Sequence, residues 1–129
     1  MNETHASTGA VHSRQALGRV GEELASGFLR RKGHVVLSRN WRCRWGEIDL
    51  VTRDRDCIVF TEVKTRSTHR AGHPFEALTH DKVSRLRRLA GLWCQAHPQS
   101  RGVIRIDAIA VTAPTHSPAI IEHLESVTS

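Results

Sequence analysis

The sequence predicts an α/β fold in which a mixed β-sheet is flanked by helices, with the element order α-β-β-β-α-β-β. Residues 14–32 and 81–97 carry apolar residues at helical spacing. Short runs rich in β-forming residues, separated by polar turns, fill the rest of the chain. At 129 residues the chain fits one domain, expected over residues 14–126 after a disordered leader of small polar residues at 1–13.

Two amphipathic helices are predicted from the spacing of apolar residues. In residues 14–32 the apolar positions are Leu17, Val20, Leu24, Phe28 and Leu29. In residues 81–97 they are Val83, Leu86, Ala90 and Trp93. We expect Asp81 to cap the second helix and Pro98 to end it.

Five strands are predicted from short runs of β-forming residues. They cover residues 34–38, 47–52, 57–66, 103–111 and 118–124. The polar run Arg53–Asp56 predicts a turn that joins the second and third strands into a hairpin. The run Arg39–Arg42 is interpreted as a connector between the first two strands.

The composition is strongly basic, with a net charge of +6 and 16 arginines among 19 basic residues. Arginine matches phosphate oxygens in a bidentate way, so a nucleic-acid partner is one interpretation and a merely solvated surface is the other. No window approaches the ~18 apolar residues of a membrane span, and the N-terminus lacks the apolar core of a signal peptide. We therefore expect no membrane association and a cytoplasmic location.

The third strand carries the first candidate for chemistry, because side chains two residues apart point to the same side of a strand. Glu62 and Lys64 therefore share a face. Taken alone, such a Glu-x-Lys pair is usually a solvated face. In the preceding strand, however, Asp49 lies 13 residues upstream of Glu62 with a compatible parity, while Ile48 and Leu50 are expected to share the opposite face.

Two registers of the hairpin are compatible with this pattern. A turn centred between Asp54 and Arg55 pairs Asp49 with Phe60 and leaves Glu62 as a diagonal neighbour. An off-centre turn places Glu62 directly opposite Asp49. Both registers keep the two carboxylates on one face of the sheet.

Two adjacent carboxylates repel each other unless a cation or a shared proton lies between them. A small number of oxygen ligands suits Mg²⁺ or Mn²⁺. Lys64, beside them, can orient or help deprotonate an attacking water. Glu22, at the border of the apolar face of the first helix, is either a further acid able to reach the metal or an exposed helix acid. The set predicts metal-dependent hydrolysis of a phosphodiester bond.

Basic residues suited to phosphate contacts lie in two segments. On the second helix, at spacings of three, they are Lys82, Arg85 and Arg88. Directly after the third strand they are Arg66, His69, Arg70 and His73. Contacts of this kind position DNA without reading its sequence, so we expect structure-selective or non-specific binding.

Five short motifs, Gly21–Ala25, Arg39–Arg42, Gly46–Val51, Val59–Arg66 and Arg105–Asp107, occur together. In this combination the chain resembles the YraN-like family of uncharacterised bacterial proteins. That family is similar to the PD-(D/E)xK nuclease superfamily, which includes the archaeal Holliday-junction resolvases. The resemblance implies a restriction endonuclease-like core.

By position, the resemblance implies that Asp49, Glu62 and Glu22 hold Mg²⁺ or Mn²⁺ and that Lys64 is the catalytic lysine. The implied function is a DNA endonuclease that acts on branched or repair-intermediate DNA. Since a junction presents two strands to cut, a homodimer is a further expectation. Two alternatives stay open: a nuclease fold that binds nucleic acid without cutting it, and a protein adaptor, for which an exposed Trp41 and the tail after Pro114 leave room.

Overall fold

The computed structural model describes the backbone of residues 2–68 and 72–128, and the side chains of residues 14–68 and 72–128. Its elements are α1 (Asn2–Arg31), β1 (Val35–Cys43), β2 (Gly46–Asp54), β3 (Cys57–Arg66), a short 3₁₀ helix (Pro74–Ala77), α2 (His80–Ala96), β4 (Val103–Thr112) and β5 (Ile120–Leu124). The predicted order α-β-β-β-α-β-β is confirmed. The proposed leader at 1–13 has its side chains outside the described residues, and its separation from the domain stays a prediction.

The five strands form one mixed sheet in the order β1-β2-β3-β4-β5. The pairs β1–β2, β2–β3 and β4–β5 are antiparallel, whereas β3 and β4 run parallel. A parallel pair cannot be joined by a tight turn, so the chain between β3 and β4 crosses over through α2. Within the described residues, neither helix carries the long apolar run that crossing a membrane requires.

Each face of the sheet is covered by one helix, because the strands place apolar side chains on both sides. On one face, Phe60 and Ile48 pack with Trp93 and Leu89 of α2. On the other face, Leu50 and the β4 residues pack with the buried residues of α1, namely Ala25 and Leu29. The two helices therefore enclose the β2–β3 hairpin and β4 between them.

Two local predictions are wrong. The run Arg39–Arg42 is no connector but part of β1, which continues to Cys43 and pairs Arg42 with Glu47. The cap of α2 is Thr79 rather than Asp81, because Thr79 has the extended backbone that a capping position needs and its Oγ1 accepts a hydrogen bond from the Lys82 N–H at 3.2 Å.

A buried ion cluster ties the C-terminal segment to the sheet. Asp107 is fully buried and accepts hydrogen bonds at 2.9 Å from both Nε and Nη2 of Arg105. Its Oδ2 lies 2.7 Å from His123 Nε2 on β5, and the Ser126 N–H donates to its Oδ1. Arg105 also donates to Asp54 of β2 at 3.0 Å. Although burial acts to raise it, these hydrogen bonds hold the pKa of Asp107 below its usual range.

The position of α1 over β3 depends on a glycine. Gly21 is buried, and a Cβ atom at this position would collide with the side chain of Thr65. The absence of a side chain therefore lets α1 approach β3 next to Lys64. Gly18, one turn earlier on the same helix, has nothing within 4 Å of the corresponding position.

We expect Gly21→Ala to lower the free energy of unfolding by about 1–3 kcal/mol, because the added methyl overpacks the contact with Thr65. Gly18→Ala is the matched control and should be neutral or stabilising by up to about 1 kcal/mol, since alanine is the better helix former and the space is open. Urea unfolding of both variants measures the difference. Equal stability of the two variants would show that the close approach of α1 to β3 is absent in solution.

Candidate active site

The turn between β2 and β3 fixes which residues face one another. Asp54 pairs with Cys57, so Arg55 and Asp56 form a two-residue turn. The ladder continues through Val51 with Phe60 and Leu50 with Thr61. The ladder ends at this last pair, which is adjacent to both Asp49 and Glu62. The two acids are therefore near neighbours across the hairpin, and the charge of Glu62 acts on Asp49. The pairing of Asp49 with Phe60 is therefore wrong, because the turn is centred one residue later than that register requires.

The strand alternation is broken at Asp49. Ile48 packs in the cluster under α2 and Leu50 in the cluster under α1, although alternate residues of a regular strand share a face. The prediction that these two side chains share a face is wrong. The break coincides with an irregularity in the neighbouring strand, where Asn40 lies opposite this point and has a left-handed φ of 51°. At the break, the Val63 N–H donates a 2.8 Å hydrogen bond to Oδ2 of Asp49.

Asn40 also links two further acids to this region. Its Nδ2 donates to Oε1 of Glu22 on α1 at 3.0 Å and to Oε2 of Glu47 on β2 at 3.3 Å. The sequence reasoning included Glu22 but missed Asn40 and Glu47 as site residues. One signal was available for Glu47, which lies in the Gly46–Asp49 run. The role of Asn40 depends on its left-handed backbone, which asparagine tolerates better than most residues.

Lys64 is the only described cation in an ion pair with Glu62, its Nζ lying 3.6 Å from Oε2. Both side chains are partly exposed, at 33% and 22%. The expected common face of the two residues is thus confirmed by their contact. Lys64 also lies at the cleft described below, so its ammonium group is within reach of a bound molecule.

The electrostatics of the acids centre on Asp49. Burial, together with the neighbouring carboxylate of Glu62, raises the pKa of Asp49 from 3.8 to about 7. The charges of Glu22 and Glu47 act in the same direction, while the hydrogen bond from the Val63 N–H opposes them. The arrangement therefore disfavours an ionised Asp49 unless a cation comes close.

The type of these side chains suits a hard divalent cation. Carboxylate oxygens are the usual ligands of Mg²⁺, which keeps several waters and needs only one or two carboxylates from the protein. Asp49 and Glu62 would supply that pair. In the described part of the chain, no group of three or more Asp, Glu, His or Cys side chains is gathered closely enough to hold an ion. The carboxylate oxygens of Asp49 and Glu62 are therefore suitable ligands for Mg²⁺. Glu22 is not gathered with them into a three-ligand group.

A cleft of about 990 Å³ opens between the middle of α1 and the end of β3. Glu22 and Lys64 lie on its walls, together with the basic residues Arg14 and Arg66. Lys64, Arg14 and Arg66 give this cleft a positive charge, and neither Asp49 nor Glu62 lines it. The DNA-binding role of Arg66 stays a prediction.

The other predicted DNA contacts fall in different places. Lys82, Arg85 and Arg88 line one shallow surface on α2, as their spacing indicates. Arg70 lies outside the described residues. His73 is engaged within the protein, since its Nε2 lies 2.9 Å from Glu122 and its Nδ1 accepts from the Phe75 N–H. A DNA-clamping role for His73 is therefore not favoured.

Comparison with known proteins identifies the family. The sequence profile of the uncharacterised protein family UPF0102 matches residues 21–111, which include Glu22, Asp49, Glu62 and Lys64. The chain belongs to this family. The expected YraN-like membership is confirmed.

Several UPF0102 proteins of bacteria are similar over nearly their full length. A UPF0102 protein of Clavibacter michiganensis is 52% identical over 87% of this chain and 95% of its own. One from Kineococcus radiotolerans is 49% identical over 91% of this chain and 97% of its own. One from Nocardioides is 47% identical over 94% of this chain and 98% of its own. The shared name states no activity, so chemistry has to be argued from the site.

The raised pKa of Asp49 makes stability depend on pH. Because the folded-state pKa lies above the ordinary value of 3.8, folding favours the protonated carboxyl, and stability falls as pH rises from about 4 to about 7. We expect Asp49→Asn, which still offers an oxygen to the Val63 N–H, to be more stable than the wild type by on the order of 1–3 kcal/mol near pH 8. The two curves should converge near pH 4.

Urea unfolding of both proteins across this pH range measures the effect. Asp56→Asn, in the exposed β2–β3 turn, is the matched control and should follow the wild type at every pH. A constant difference between Asp49→Asn and wild type from acid to base would contradict a raised pKa at Asp49.

Proposed function

We propose that this UPF0102 protein is a Mg²⁺- or Mn²⁺-dependent DNA endonuclease that hydrolyses phosphodiester bonds in branched or repair-intermediate DNA. The observation that carries the proposal is the hairpin geometry, in which Asp49 accepts the N–H of Val63, the residue next to Glu62, and Lys64 pairs with Glu62. Two carboxylates and one ammonium group are the groups that metal-dependent phosphodiester hydrolysis needs. Lys64 also lines the basic cleft, whereas Asp49 and Glu62 do not. We also propose a cytoplasmic location, in which DNA is accessible to the protein.

In this mechanism Asp49 and Glu62 would hold the cation. When bound, a divalent ion supplies a Lewis acid for the phosphate and lowers the pKa of its water. The Val63 N–H fixes one oxygen of Asp49 and leaves the other available. Lys64 is restrained beside Glu62, where its ammonium group orients the attacking water and offsets negative charge on the phosphate.

Glu22 contributes from the helix side of the cleft. Its carboxylate is oriented by Asn40 and lies on the same cleft as Lys64. Arg14 and Arg66 would hold the phosphates on either side of the scissile bond. Such contacts neutralise phosphate charge, so binding is expected to weaken steeply with salt. A homodimer would present two such clefts to the two strands of a junction.

We expect wild-type protein with Mg²⁺ or Mn²⁺ to cleave at least one of a panel of junction, flap and linear DNA substrates. Glu62→Gln and Lys64→Met should each lower the cleavage rate roughly 100-fold or more, because one removes a carboxylate ligand and the other the ammonium group beside the phosphate. Timed cleavage assays resolved on denaturing gels provide the measurement.

Two controls guard against a contaminating nuclease. Glu23→Gln changes the exposed acid next to Glu22 and should leave the rate unchanged, whereas Glu22→Gln should lower it. Chelation of the metal should abolish cleavage by the wild type. Equal residual cleavage by wild type, Glu62→Gln and Lys64→Met would rule out the proposed activity.

A second candidate is a nuclease fold that binds nucleic acid without cutting it. One observation favours it: within the described residues, the acids are not gathered into a group of three around a metal site. On this alternative, DNA binding is unaffected by chelator and survives Asp49→Ala, and no DNA in the panel is cleaved. The adaptor alternative loses its initial argument, since Trp41 is half-buried and packs against the core and His97 instead of being exposed.

A further inference from the structure

Trp45 is an exposed aromatic residue in the tight turn between β1 and β2. Its side chain is 63% exposed, although tryptophan is the residue with the most apolar surface to bury. The turn is held against α2 because Gly46, with a φ of 149°, lets the chain pass close to Leu89. The contact of the turn with α2 therefore holds Trp45 in position, although its indole ring is not buried.

Trp45 forms one wall of a groove of about 540 Å³ on the outer surface of α2. Leu89, Leu92 and Gly91 of α2 contribute apolar surface, and Gln95 contributes an amide. The volume lies within the range of pockets that hold small molecules, roughly 300–1,000 Å³. An aromatic wall over an apolar surface of this size suits a planar ring such as a nucleobase.

The charge around the groove selects an anion. Arg85 and Arg88 line it, and the guanidinium carbon of Arg44 lies 4.8 Å from the centroid of the Trp45 ring. Among the described residues that line the groove, none is acidic. A base that stacks on Trp45 would therefore have its phosphates within reach of arginine side chains, which is the combination used by proteins that bind single strands.

Gly91 also lines the groove, and packing does not explain why glycine occupies this position. It lies in the interior of α2, where glycine costs up to about 1 kcal/mol relative to alanine. A Cβ atom at this position would meet nothing within 4 Å, so no neighbouring element requires its absence. Gly91 lines the groove, so the absence of a side chain there leaves more open space in it.

We infer that this groove binds an unpaired stretch of DNA, with a base stacked on Trp45 and its phosphates on Arg85 and Arg88. Double-stranded DNA does not present a free base face, so the groove discriminates for single strands. Trp45 lies in the turn that leads into β2, the strand that carries Asp49. The inference deepens the proposed function, on which the placement of a cut rests, by naming a single-stranded segment as the substrate feature recognised.

Binding of the full-length chain to a fluorescein-labelled oligothymidylate, and to a duplex of equal length, tests the inference by anisotropy. The measurements are made in chelator, so a failure of the proposed nuclease activity does not affect them. We expect the wild type to bind the single strand, Trp45→Ala to bind it roughly tenfold more weakly, and Trp45→Phe to retain most of the affinity. Affinity for the duplex should be nearly unchanged in both variants.

The remaining variants separate the effects of the arginine charges and of the open space in the groove from the effect of stacking on Trp45. Arg85→Ala and Arg88→Ala should each flatten the salt dependence of single-strand binding by about 0.7 in the log–log slope, whereas Arg55→Ala, at the opposite end of β2, should not. Gly91→Gln fills the groove and removes a helix-interior glycine, so it should weaken binding while raising the unfolding temperature. Misfolding cannot account for that pair of results.

Several outcomes would overturn the inference. Single-strand affinity equal in wild type, Trp45→Ala and Gly91→Gln would show that the groove is not used. An equal loss for single strand and duplex in Trp45→Ala would show that the indole only supports general DNA contact. Absence of single-strand binding by the wild type, together with a change of oligomeric state on Trp45→Ala, would assign the groove to contact between protein chains.

Discussion

The two-residue turn at Arg55–Asp56 sets the pairing of β2 with β3, and the core and the candidate site both depend on that pairing. In this register Val51 faces Phe60, and both side chains are buried under α2. A slip of one residue between the strands would put Val51 and Phe60 on opposite faces and would end the shared packing of this apolar pair under α2. Burial of hydrophobic surface therefore enforces the positions of the acids, although the acids themselves add little to folding.

Contacts from outside the hairpin complete the candidate site. Gly21 lets α1 lie directly against Thr65, and its neighbour Glu22 thereby reaches the cleft at the end of β3. Asn40 then joins Glu22 to Glu47 through a single amide group. The site thus depends on three elements, namely helix α1, the β2–β3 hairpin and the edge strand β1. Local sequence patterns describe each of these elements separately.

The parts that follow a simple period could be predicted from the sequence. Helical spacing identified α1 and α2, and the alternation along β3 placed Glu62 and Lys64 on one face. The site could not be completed in the same way. The break in alternation at Asp49 lies opposite Asn40, whose left-handed backbone belongs to another strand. The two-residue period of a strand predicts neither feature.

The tryptophans show the same limit, because exposure depends on which elements pack over a residue. Trp41 lies within β1 and is covered by His97 and the core, whereas Trp45, four residues later, lies in a turn that leaves its ring exposed. In sequence both are tryptophans in a basic segment. Only the position of α2 relative to the β1–β2 turn distinguishes them.

The sheet carries two groups of acids, and the protein balances the negative charge of one group but not of the other. On β4, Asp107 receives Arg105, His123 and a backbone N–H, and its charge is balanced within the protein. On β2, Asp49 is surrounded by acids, and among the described residues one backbone N–H, that of Val63, donates to it. The second group is a local frustration: the fold holds like charges together where a neutral side chain would leave it more stable. Selection for stability alone removes such arrangements, so the frustrated acids mark the part of the molecule that is under selection for something other than folding.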